Sequence, residues 1–121
     1  DAMTRGMLHR ELTELQWNVL VAKYSINDRE VADAVRWLIL RVESPAHRLF
    51  VTKAVTAWAV PKRLPAAFYV LHSWDSDGTP DSTLRRWRGL IGKWLGGNLD
   101  SAFRRVEQLL KANGLCSEVA A

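Results

Sequence analysis

Apolar residues recur at three- and four-residue spacing along most of the chain. Leu12, Leu15, Val19, Leu20 and Ala22, with Trp17 beside them, form a helical stripe rather than a strand alternation, so a first helix is expected from Glu11 or Thr13 to about Tyr24. Asn27 or Asp28 is placed to cap a second, whose apolar face is Val31, Ala34, Val35, Leu38, Ile39 and Val42. Ser44-Pro45 offers an N-cap followed by a first-turn proline, which predicts a third helix ending before Pro61. That segment is apolar nearly all round, as expected of a central, buried helix.

Pro61 to Pro65 reads as a linker, and a fourth helix is expected from Pro65 to about Trp74. Asp75 to Pro80 reads as a turn, with Thr79 as cap and Pro80 as first helical residue of a fifth helix running to Leu95. Gly96-Gly97 predicts its end. A sixth helix should start at Asn98 or Asp100 and stop at Gly114. No run alternates as a strand does. The expected fold is therefore all-α, a single domain over 1–121 built as a compact bundle of about six helices, with 1–10 and 116–121 flexible.

The chain is long enough, at 121 residues with 48% hydrophobic content, to fill one core. Its formal net charge of +4 is unevenly spread. Residues 1–45 carry six basic and seven acidic side chains, residues 46–97 eight and three, and residues 98–121 three and three. The positive excess sits in the middle of the chain, which favours an anionic partner.

The predicted helix at 80–95 concentrates that charge. At 100° per residue, Leu84, Trp87, Leu90, Ile91, Trp94 and Leu95 share one broad arc, which should face the core. Ser82, Arg85, Arg86, Gly89 and Lys93 share the other. Guanidinium forks match phosphate oxygens and guanine edges, the hydroxyl adds a donor, and glycine permits close approach to a bulky surface. Arg88, with Lys62 and Arg63 in the linker, are further candidate backbone contacts.

Ser82-Thr83-Leu84-Arg85-Arg86-Trp87, preceded by the glycine-containing turn Asp77-Gly78-Thr79, resembles the recognition helix of helix-turn-helix DNA-binding proteins over about residues 65–95. The resemblance implies that the helix enters the major groove and that Ser82, Arg85, Arg86 and Gly89 meet base edges. Where the compact motif has a small residue four positions before the turn glycine, this chain has Trp74, so a longer turn or a winged variant is implied. Small basic helical chains of this kind are also similar to phage or plasmid transcription regulators, including proteins that load onto RNA polymerase near a promoter.

Other chemistry is sparse. Asp75, Asp77, Gly78 and Asp81 suggest a calcium loop, but an EF-hand starting at Asp75 would need a carboxylate where Arg86 stands, and turn and cap roles account for these residues. His9, His47 and His72 are scattered, and Ser73 beside His72 is adjacency rather than a triad. A lone cysteine, Cys116, forms no internal disulfide, which fits a reducing cytoplasmic setting. No apolar run approaches the length of a membrane span. Of the six tryptophans most are expected in the core, while an exposed Trp17 or Trp37 would indicate a partner surface.

These features predict a non-enzymatic, DNA-binding transcription regulator without cofactor or metal. Duplex DNA is the expected partner, with RNA polymerase or another protein as a further one and a homodimer matching a palindromic site. The competing class is a helical adaptor that binds another protein or RNA.

Overall fold

The computed structural model describes residues 2–61 and 63–114. They form α1 (Ala2–Glu11), α2 (Glu14–Tyr24), α3 (Asp28–Ile39), α4 (Arg48–Ala59) and α5 (Asp81–Ala112), with two 3₁₀ turns, Ala66–Tyr69 and Leu71–Trp74, between α4 and α5. No strand occurs among the described residues, and no helix there is long and apolar enough to cross a membrane. The segment 116–121, expected to be flexible, lies outside them.

Local chemistry sets the early helix starts. Thr13 and Gln16 form a reciprocal capping box at α2, and the Asn27 side chain accepts from the Arg29 and Glu30 amides at α3. α4 departs from expectation. Ser44 only closes a local turn with the Ala46 amide, and the helix begins at Arg48 under a cap from His47, whose Nδ1 accepts from the Phe50 amide. α1 also differs, being helical where a flexible end is expected. It buries no side chain of its own and is held by an Arg5–Glu30 ion pair of 2.6 Å and by His9 stacked on Trp17.

Two further corrections concern the second half. The expected fourth helix is a pair of 3₁₀ turns, and the residues before them are organised by Tyr69. Its hydroxyl donates to the Val60 carbonyl and accepts from the Arg63 and Leu64 amides. The expected fifth and sixth helices are one continuous helix of 32 residues, about 48 Å long at 1.5 Å per residue. Among the described residues the α-helices are thus five rather than six. The cause is visible in α5's buried positions, Leu84, Ile91, Leu95, Ala102 and Leu109, which stay in register across Gly96-Gly97 at intervals of seven and four. Burial of that seam outweighs the poor helix propensity of the glycines.

No neighbouring side chain requires those glycines, since a Cβ at Gly96 or Gly97 would meet nothing within 4 Å. Each alanine substitution, Gly96→Ala or Gly97→Ala, is expected to raise stability by about 0.5–1 kcal/mol, read as a higher urea midpoint at unchanged helix content.

α2 packs on both α3 and α5, and α4 does the same from its own side. The core lies among these four helices, with Val19, Leu38, Phe50, Val55 and Leu95 fully enclosed. Phe50 is its aromatic centre, meeting Trp74 at 5.4 Å and Trp87 at 5.6 Å, both edge to face. Trp74 is buried, and its indole N–H donates to the Phe68 carbonyl. The other five tryptophans are half-buried against the core. Trp17 and Trp37 are among them, so neither is a free aromatic surface.

Candidate nucleic-acid interface

α5 reaches its position through the core. Leu84, Ile91 and Leu95 are buried, and Trp87 and Trp94 pack beside them, which leaves the opposite face of the first four turns to solvent. Ser82, Arg85, Arg86, Arg88, Gly89 and Lys93 are all exposed. Leu90, assigned to the core arc from sequence, is instead 55% exposed at the margin of the buried seam.

At 100° per residue, Ser82, Arg85, Arg86, Gly89 and Lys93 fall within about 100° of arc, whereas Arg88 lies about 60° beyond its edge at Arg85 and about 160° from Arg86. Arg88 is exposed but lies outside the arc that Arg86 and Lys93 share. Arg85 Nε lies 2.8 Å from Asp81 Oδ2, one turn earlier, and Asp81 Oδ1 is 3.5 Å from His72 Nε2. Such an exposed pair stabilises by about 0–1 kcal/mol and yields readily to a competing anion. Arg86 and Lys93 make no ion pair among the described residues. Beyond Gly97 the same arc carries both signs, Asp100 and Glu107 with Arg104 and Lys111, so its positive excess ends near the glycine pair.

Of the linker candidates, Arg63 does not join it. Arg63 is drawn to the start of α3 by a 2.7 Å bond to Asp28, and Lys62 lies outside the described residues. Cys116 lies outside them too. Arg63 and Asp28 rim a groove of about 450 Å³ between α3 and α4, walled by Val31, Val35, Ile39, Val60 and Leu64.

One polar cluster escapes a reading of the sequence. His47, scattered from other ligands along the chain, places Nε2 3.2 Å from Asp75 Oδ1 and 3.8 Å from Asp77 Oδ2. Twenty-eight residues separate His47 from Asp75, so no local spacing reveals the pair. Thr79, expected as the cap of α5, is engaged here instead. Its amide and hydroxyl both donate to Asp75, and α5 starts after Pro80 without a side-chain cap. The Thr79 amide, against opposing burial and with help from the Thr79 hydroxyl, His47 and the Asp77 amide, holds the Asp75 carboxyl below the usual carboxylate range. The pairing ties the start of α4 to the turn that launches α5.

Lys23 is the other perturbed group. It donates to the Trp58 carbonyl at 2.6 Å and lies over the Trp58 ring, and burial lowers its pKa. It links α2 to α4 inside the scaffold and takes no part in the basic face.

Compared with protein-family models, with curated proteins and with solved structures, the chain matches none.

Proposed function

We propose that this chain is a non-catalytic DNA-binding regulator in which the first four turns of α5 dock against duplex DNA. The observation that carries the reading is the solvent-facing arc of Ser82, Arg85, Arg86, Gly89 and Lys93, in which Arg86 and Lys93 meet no carboxylate among the described residues. A helix of about 10–12 Å diameter fits a major groove about 12 Å wide. Gly89 lowers the ridge at the middle of the arc and lets the helix axis approach.

In this reading α5 takes the part of a recognition helix, supported from behind by α4 and the 3₁₀ turns rather than by the first helix of a compact helix-turn-helix. Arg85, Arg86 and Lys93 make phosphate or base contacts and Ser82 positions the helix start. Arg88, Lys62 and Arg63 are not assigned to the contact.

Fluorescence anisotropy of a labelled duplex, titrated with the protein across a salt series, tests this. Three phosphate contacts predict a slope of log K against log salt of about −2.7. A slope near zero removes the proposal. The groove between α3 and α4 supports a second reading, an adaptor that accepts apolar side chains of another protein, for which affinity would be insensitive to salt.

A further inference from the structure

The cluster at the junction of α4 and α5 has the composition of a small cation site. We propose that His47, Asp75 and Asp77 bind a divalent first-row transition cation of the zinc type, through His47 Nε2, Asp75 Oδ1 and Asp77 Oδ2, with water completing the shell. This does not depend on the DNA reading. The three donor atoms lie within 4.8 Å of one another and come from two segments that only the fold brings together.

Metal bonds of about 2.0–2.2 Å in a tetrahedral shell set donor atoms about 3.3 Å apart. The His47–Asp75 separation of 3.2 Å is already at that spacing, and the Asp77 carboxylate, 3.8 Å from His47 and 69% exposed, is free to close the remainder. Asp75 is oriented for the task. Its Oδ2 accepts the Asp77 and Thr79 amides and the Thr79 hydroxyl donates to Oδ1, which fixes the carboxylate toward the imidazole as outer partners fix ligands in metal sites. No lysine or arginine pairs with Asp75 among the described residues, although its side chain is only 3% exposed. One imidazole nitrogen with two carboxylate oxygens suits zinc-like ions, while magnesium and calcium select all-oxygen shells.

With Nδ1 accepting from the Phe50 amide, the imidazole proton sits on Nε2 and points at Asp75. Cation binding moves that proton to Nδ1 and gives up the Phe50 bond. A proton on Nδ1 would face the Phe50 N–H, donor against donor, so the imidazole must turn off that amide and the cation has to outweigh the loss of the α4 cap, a bond that is long at 3.4 Å.

Zinc chloride alone, titrated by calorimetry into the chelator-treated full chain, tests the proposal against His47→Asn and Asp77→Asn, with circular dichroism confirming each fold. Asparagine keeps a capping oxygen at the start of α4 while removing the imidazole. Asp77→Asn alters only an exposed side chain. One saturable site with a dissociation constant below about 100 µM is expected. Each variant should weaken it at least tenfold, zinc should raise the melting midpoint of the wild type alone, and magnesium should do neither. Absence of saturable zinc binding overturns the proposal, as does equal binding by wild type and both variants, which would place the ion on other donors such as His72 or Cys116.

Discussion

Phe50→Ala is expected to cost about 3–5 kcal/mol of folding free energy, the range for emptying a fully enclosed aromatic site. Phe50 is completely buried, and its ring is the common contact of Trp74, from the second 3₁₀ turn, and Trp87, from the second turn of α5. Truncation removes both edge-to-face contacts and opens a cavity where three segments meet, so relaxation of one wall cannot refill it. Against a typical total of about 5–15 kcal/mol this is a large fraction. Urea unfolding followed by circular dichroism measures it. Phe50→Leu, which keeps much of the apolar volume, should lose clearly less, and equal losses would mean that the edge-to-face contacts rather than the cavity carry the effect.

The second large effect concerns binding. Replacing Arg85, Arg86 and Lys93 together by alanine should weaken duplex binding at least about a hundredfold, taking about 1–1.5 kcal/mol for each charge-assisted contact. The salt slope should flatten at the same time. Arg88→Ala is the internal control. It removes the same charge as any one of the three, from a helix position about 160° away from Arg86, and should change affinity by less than about threefold. Equal losses from Arg88 and from a member of the arc would show that only bulk charge matters.

How far the residues announce this architecture differs from element to element. α2 and α3 are legible because their information is local: Thr13 with Gln16, Asn27 with the following amides, and apolar stripes at helical spacing. The exposed arc of α5 is legible for the same reason, since 100° per residue fixes which side chains share a face. What local reading misplaces are decisions taken by packing. Gly96-Gly97 has the composition of a helix stop, yet the helix continues because Leu95, Ala102 and Leu109 remain buried on one line. Pro65 to Trp74 has helical periodicity but is tightened into two 3₁₀ turns, where Trp74 inserts beside Phe50 and Tyr69 gathers the preceding residues. His47 is the clearest case. Its partners Asp75 and Asp77 become neighbours only when α4 and the approach to α5 are assembled, so neither the cap of α4 nor the cluster has a signature in the sequence.

The ion pairs change the weight of the candidates in a way composition could not. Arg63 and Arg85 each engage a carboxylate within the molecule, Asp28 and Asp81, whereas Arg86 and Lys93 have no such partner among the described residues. A formal net charge counts all four alike. The folded chain distinguishes them.

Docking of α5 on DNA is read out residue by residue in a map of amide shifts of the ¹⁵N-labelled protein as an unlabelled duplex is added at low salt. Perturbations are expected to concentrate at Ser82, Arg85, Arg86, Gly89 and Lys93, to fade beyond Gly97 and to be small along α3. Perturbations confined to the groove between α3 and α4, or none anywhere at saturating duplex, would show that α5 is not the DNA-binding element.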